Sequence, residues 1–457
     1  MCAMALLAVV LLDGCSVHHV ERAPDVDINA THSFSMATDL PAPQNSTPWY
    51  REFEDPQLES LIEQALRQNF ELKASRSRFL QARALARISD VAALPSVDVE
   101  AGANYRFEEN RERTTYDIGV ALSWEIDLFG RLENAALFDA METQARQEDL
   151  EALRFLVAAE VARNYFGALS AYRALDLLQE QVRLDTHYLE LIMLRFENGV
   201  GTTVEVLQQK GQLAQSQSLI PIIKASLRKF ENRLDLLLGQ VPDGINRLDS
   251  MTPECNLSTP RHTGIPSQLL LRRPDLRAQR HRLVAADAAI GEAIAQRLPS
   301  LTLGASLFRT ENLNYAGPLG MLGASLIQPL LDWGAREAQV HANRALYQEQ
   351  LSRYGESYLK AIEEVENALY AEQQQREYLE RLEARRAILQ LTVDEAKARY
   401  MQGISDYLPV LNALEALHQT ERLQIDARYA LLEYRITLYR ALGSDVSIED
   451  QNKESTP

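Results

Sequence analysis

The chain has 457 residues, 46% of them hydrophobic, and a net charge of −17. That length covers two or three domains, and the acidic balance argues against nucleic acid as a partner. No internal apolar run approaches the roughly 20 residues of a membrane-spanning helix. The three cysteines, Cys2, Cys15 and Cys255, have no metal-site spacing and support no disulfide framework.

Ala3 to Leu12 is a short apolar run that ends in Leu12-Asp13-Gly14-Cys15. It is too short to cross a bilayer and suits a signal-peptide core. The Leu-x-Gly-Cys ending resembles the lipobox of bacterial lipoproteins, although Asp13 stands where a small residue is usual and no Lys or Arg precedes the run. The resemblance implies a signal segment over 1–15, a covalent lipid on Cys15 and, with Ser16 in second place, sorting to the outer membrane. Residues 16–55 are rich in Pro, Ser, Thr, Asn and Asp and read as an extended linker. Asp55-Pro56 then starts a helix, with Asp as N-cap and Pro in the first helical position.

Val97 to Ile126 reads as a β-hairpin. Val97, Val99, Ala101, Ala103, Tyr105 and Phe107 alternate with polar residues or Gly, a polar tip follows over Glu109–Thr114, and Tyr116, Ile118, Val120, Leu122, Trp124 and Ile126 alternate again. Period-two alternation gives one apolar face and one wet face. Each run is long enough for one tilted crossing of a bilayer, which takes roughly 9–11 residues, and the aromatics near its ends suit an interfacial girdle. Half of a soluble sandwich fits the strand pattern equally well.

The chain then repeats itself at a constant offset of 204 residues: Leu94-Pro95-Ser96 recurs as Leu298-Pro299-Ser300, Gly130 as Gly334, Arg195-Phe196 with Gly199 as Arg399-Tyr400 with Gly403, and Leu238-Gly239 as Leu442-Gly443. Such a period is the signature of a duplicated structural unit. The two repeats cover 56–239 and 267–443, with a Pro- and Gly-rich connection over 240–266 and a tail over 444–457. The second hairpin runs over 300–328, with Gly317-Pro318 at its tip.

Each chain thus offers four strands, too few to close a transmembrane barrel, whose smallest examples have about eight. An open edge in lipid would leave backbone groups unpaired, so the barrel must be shared; three copies of four strands give twelve. Arg131 to about Asn198, and again Ala335 to about Gln402, hold no Pro, and each predicts a helix on the order of 100 Å long. Leu175, Leu178, Val182, Leu189, Ile192 and Phe196 form a heptad stripe with a second stripe, Leu177, Leu184 and Leu191, beside it. Two stripes suit a ring of helices. Asn198-Gly199-Val200-Gly201 and Gln402-Gly403 turn these helices back, Thr202 or Thr203 caps the first return, and Pro221 is expected to kink it. The fold class is mixed and mainly α: long coiled-coil helices plus four strands per chain, in an internal two-fold repeat.

The stretches Ser123–Arg131, Leu271–Ala278, Gln328–Gly334 and Arg399–Leu408 resemble the TolC-like outer-membrane factors of tripartite efflux systems, in the OprM-like lipoprotein branch. The resemblance runs from about Trp49 to Gly443. It implies a homotrimer in the bacterial outer membrane, whose 12-stranded barrel continues into a periplasmic helical tunnel, with a periplasmic adaptor and an inner-membrane pump of the resistance–nodulation–division class as partners. It implies a gate at Leu408 and Asn412 with Asp406 nearby, to which offset 204 adds Val204 and Gln208. Many relatives carry Asp where Asn412 stands, so a ring of three charges is absent here. Asp406 also fits a helix N-cap, and Leu408 a core position. The turns at Asn198, Gly199, Gly201, Gln402 and Gly403 are the expected adaptor contacts. Phosphate loops, metal motifs, nucleophile elbows and clustered His or Cys are missing, so neither an enzyme nor a cofactor is expected beyond the lipid on Cys15. A type I secretion conduit and a periplasmic coiled-coil scaffold remain as alternatives.

Overall fold

The computed structural model describes residues 17–21, 34–35, 48–108, 111–244, 248, 269–312 and 315–443. The chain divides into two units, one of residues 1–29, 74–150 and 274–358 and the other of 30–73, 151–273 and 359–457.

A 3-10 turn at Trp49–Phe53 is followed by α1 (Pro56–Gln68), α2 (Phe70–Val91), β1 (Ser96–Glu108), β2 (Arg111–Ile126), α3 (Arg131–Glu197) and α4 (Thr203–Leu237). The second repeat supplies α5 (Leu269–Arg272), α6 (Pro274–Ala295), β3 (Ser300–Asn312), β4 (Tyr315–Ile327), α7 (Ala335–Met401) and α8 (Leu408–Leu442). The two long helices have 67 residues each, and the two return helices 35 each. Pro221 lies inside α4, which continues past it to Leu237.

In the first unit the four strands form one antiparallel sheet in the order β1-β2-β3-β4. Val99 lies opposite Val120, and Val120 opposite Leu307. This register gathers Val97, Val99, Tyr105, Phe107, Tyr116, Ile118, Val120, Leu307, Leu322 and Leu326 on one face, all of them exposed. The opposite face carries Asp98, Glu100, Asn104, Asp117, Thr302 and Ser306, with Leu319 and Met321 of β4. In both hairpins the pairing runs further than expected. The first ladder runs out to Glu108 opposite Arg111, so 111–114 are strand rather than loop. Gly317 and Pro318 are not at the second tip; they pair with Thr310 and Arg309 inside β4. β4 is an edge strand, where a missing proline N–H removes no bond from the ladder provided it faces outward.

In the second unit Trp49 packs against Phe155 and Tyr439, with ring centroids 5.6 and 5.8 Å away, and Phe53 against Phe166 at 5.1 Å. Arg435 and Glu372 form a buried ion pair at 2.6 Å. Asp55 caps α1 as expected, its carboxylate accepting from the backbone N–H of Gln57 and of Leu58 at 3.0 Å, and Pro56 fills the first position.

The duplication extends to single hydrogen bonds. Asn69 Nδ2 donates to Leu237 O at 3.0 Å, and 204 residues later Arg273 Nη1 donates to Ala441 O at 3.3 Å. In the first unit Trp124 Nε1 donates to Ala93 O at 2.9 Å, and Gln328 Nε2 to Arg297 O at 3.2 Å, again at offset 204. Different side chains fill equivalent places because the backbones to be joined are the same.

Candidate functional site

Both reversing turns lie in the second unit and have one geometry. Gly199 and Gly403 take φ of +72° and +73°, a left-handed conformation that glycine adopts without a Cβ clash. The N–H of Gly199 donates to Phe196 O and that of Val200 to Arg195 O, each at 2.9 Å; the N–H of Gly403 donates to Tyr400 O at 3.0 Å and that of Ile404 to Arg399 O at 2.9 Å. These bonds close the last turns of α3 and α7. Asn198 Nδ2 adds a bond to Leu194 O at 2.7 Å, while Gln402 is exposed and Gly201 half-buried. The turns lift one aliphatic side chain each into solvent, Val200 at 66% and Ile404 at 67% exposure.

The two return helices start differently. Thr202 and Glu205 form a capping box on α4: Thr202 Oγ1 accepts from Glu205 N–H at 3.3 Å, and Glu205 Oε2 accepts from Thr202 N–H at 3.1 Å. On α8 the N-cap is Tyr407, with no capping bond from its side chain. Asp406 is therefore not the N-cap. Tyr407 is 1% exposed, and burying its ring draws the helix start past Asp406, which stays exposed. Leu408 is not core either: it opens α8 on the exposed side, and Asn412 follows one turn later, also exposed. Val204 is exposed on α4 and Gln208 half-buried.

Beneath these residues, Ile192 of α3, Val206 of α4, Tyr400 of α7 and Tyr407 and Val410 of α8 share one hydrophobic cluster. The rings of Tyr400 and Tyr407 are 5.2 Å apart, and the Arg195 guanidinium lies 4.5 Å from the centre of the Tyr400 ring. Tyr407 Oη donates to Gln209 Oε1 at 2.5 Å; Gln209 Nε2 donates to Asp185 O at 2.8 Å; Ser216 Oγ donates to Asp185 Oδ2 at 2.6 Å. Burial raises the Asp185 carboxyl above the usual range, against the lowering effect of these bonds, and raises the Tyr407 phenol. His418, 1% exposed, has no hydrogen-bond partner at either ring nitrogen, and burial brings it down to about 4. Sequence reading did not single out this polar layer. Its trace is Asp185, Gln209, Gln212 and Ser216 at positions that face neighbouring helices, a pattern visible only once the inward face is known.

Cys15 lies outside the described residues. Among the described residues no group of three or more His, Cys, Asp or Glu is placed to hold a metal ion, and no helix is long and apolar enough to cross a membrane.

Comparison with known proteins gives this geometry a context. The model of the outer membrane efflux protein family matches residues 61–240 and 265–444, once per repeat. The pyoverdine export outer membrane protein OpmQ of Pseudomonas putida is 31% identical over 418 residues, covering 86% of this chain and 87% of its own. The probable outer membrane lipoprotein SilC of Salmonella typhimurium is 27% identical over 458 residues, with 96% and 98% covered. Among solved structures, the outer-membrane channel OprN superposes with a TM-score of 0.88 at 26% identity, over 94% of this chain and 99% of that one. The chain belongs to the outer membrane efflux protein family and is an outer-membrane efflux channel subunit.

Proposed function

We propose that three copies assemble into one conduit, each lending its four strands to a 12-stranded barrel and its long helices to a periplasmic tunnel. The observation that carries this reading is the sheet of the first unit, which has an exposed apolar face and leaves β1 and β4 as edges. Unpaired strand edges cost several kcal/mol per backbone group in lipid, and neighbouring copies satisfy them. Cys15 carries the lipid anchor; its Leu-Asp-Gly-Cys setting and the lipoprotein relative SilC support this.

The conduit is passive and draws its energy from an inner-membrane pump through a periplasmic adaptor. The adaptor docks on the turns at 198–201 and 402–404, where Val200 and Ile404 give it apolar contacts. Cargo is chosen largely by pump and adaptor and consists of small molecules; OpmQ, with its pyoverdine, is one such relative. Leu408 and Asn412 line the closed constriction, with Val204 and Gln208 as their counterparts on α4. Rings of apolar or polar side chains at a narrowing are an established way to gate a pore. Single-channel recording in planar bilayers tests the gate: Leu408→Ala and Asn412→Ala should each raise conductance, and unchanged conductance in both would remove these residues from the constriction.

A further inference from the structure

The first unit builds one joint inside the chain and leaves two matching half-joints open. In the built joint, the turn between β2 and α3 faces the turn between α6 and β3. Leu128 and Phe129 on one side and Leu298 and Pro299 on the other line a single cavity of about 350 Å³. Leu128 and Phe129 are half-buried there. Around the joint β2 pairs with β3, and α6 has twelve buried residues.

Offset 204 maps each side of this joint onto a surface whose large apolar side chains stay exposed, although Ile327, Pro329 and Arg336 beside the second one also line the cavity. Leu298-Pro299-Ser300 maps onto Leu94-Pro95-Ser96, between α2 and β1, where Leu94 is 62% exposed and Val91 is exposed too. At the same offset Phe129 maps onto Trp333 and Leu128 onto Asp332, between β4 and α7, where Leu330, Leu331 and Trp333 are 91, 73 and 90% exposed. Trp333 is moreover held at φ +54°, a strained conformation for a bulky residue. α2, the counterpart of the buried α6, exposes Leu80, Leu85 and Ile88. The open surfaces sit beside the strands that bound the sheet, β1 and β4.

We propose that Trp333, with Leu331 beside it, is the anchor between copies, seated on Val91, Leu94 and Pro95 of the neighbouring copy as Phe129 sits by Leu298 and Pro299 within the chain. A second copy is the one partner that brings the complementary surface in the orientation already built between the repeats. The contact is heterologous, since the two sides differ, and it closes only as a ring. The matched hydrogen bonds of Trp124 to Ala93 and of Gln328 to Arg297 tie the two ends of each hairpin in the same way in both repeats. A tryptophan hides some 150–250 Å² when covered, so the residue with the most to bury in this loop is the one aimed outward. The inference rests on the multi-copy barrel reading and assigns its seam to particular side chains.

Two experiments in native outer membranes test it. In a Cys255→Ser background, the double variant Leu94→Cys with Trp333→Cys, oxidised and then boiled without reductant, should run as covalent dimer and trimer, and each single variant as monomer. A double variant that stays monomeric when boiled but runs as a trimer unboiled overturns the seam and leaves the shared barrel intact. A parent protein that is monomeric unboiled removes the barrel reading itself. In the second experiment Trp333 is replaced by the photocrosslinker benzoylphenylalanine, which keeps the aromatic bulk. Adducts should map to the peptide containing Leu94 and Pro95; adducts to phospholipid alone would make Trp333 a membrane-interface residue and overturn the proposal.

Discussion

Single residues show where burial inside α8 leaves a titratable group unsatisfied. His418 sits on α8 with both ring nitrogens unpaired, and Gln181 Nε2 donates to its backbone carbonyl at 3.3 Å. Burial holds the folded ring at about 4, with the nearby Arg422 charge a smaller cause in the same direction. A free histidine titrates near 6.5. Between about pH 6.5 and 4 the unfolded chain therefore binds a proton that the folded one does not, and stability falls as pH drops through that window. The loss at its acid end is on the order of 3 kcal/mol per chain. Urea-unfolding midpoints measured from pH 7 to 4 should show this slope, and His418→Leu should flatten it. A parent and variant with parallel profiles would place the acid sensitivity elsewhere. Asp185 shifts the other way, because burial favours its neutral form, so it adds no loss on the acid side.

At the scale of elements, the hairpins and the return helices each divide into two kinds of position. On β1, Val99 belongs to the exposed apolar face and its neighbour Glu100 to the opposite one. An arginine facing lipid near mid-depth costs about 2–4 kcal/mol, whereas the pore side accepts charge. Val99→Arg should therefore reduce the assembled protein recovered in outer membranes, while Glu100→Arg leaves it near the parent level; immunoblots of fractionated membranes read both, and equal yields would mean that the faces are assigned the wrong way round. The return helices differ in how their starts are held. α4 carries its own capping box, worth about 1 kcal/mol, whereas α8 relies on Tyr407, tied to Gln209 across the bundle. Leu408 and Asn412 are thus set by a tertiary bond, and Val204 and Gln208 by a local one.

For the whole molecule, the repeat explains the architecture. One unit of helix, hairpin, long helix, turn and helix occurs twice, and β2 of the first pairs with β3 of the second. The chain's outer flanks carry the exposed apolar residues Leu94 and Trp333, which is what supports the proposed ring of copies. On the proposed reading, the exposed Val200 and Ile404 turns of the second unit give the adaptor two similar contacts per chain. Cysteines introduced at these two positions should crosslink to the adaptor expressed alongside, while cysteines at the exposed α2 positions Leu80 and Leu85 should not. Trapping from α2 alone would move the adaptor off the tips.

Much of this was legible in the residues because its causes are local or repetitive. Alternation over 97–126 is a face pattern, the absence of proline over 131–197 is a permission for helix, and Gly199 and Gly403 mark the left-handed turns. Four landmarks at one offset determined the duplication and, through the strand count, the need for partners. Other features answer to contacts distant in sequence, and only the tertiary structure decided them. Gly317-Pro318 looks like a tip and is strand because an edge tolerates it. Asp406 looks like a cap and is displaced because burying the Tyr407 ring moves the helix start. The layer of Asp185, Gln209 and Ser216 appears as scattered polar residues until the helices that enclose it are packed. A periodic pattern records which side of an element is buried; which groups meet there depends on the neighbour, and the neighbour is chosen by the fold.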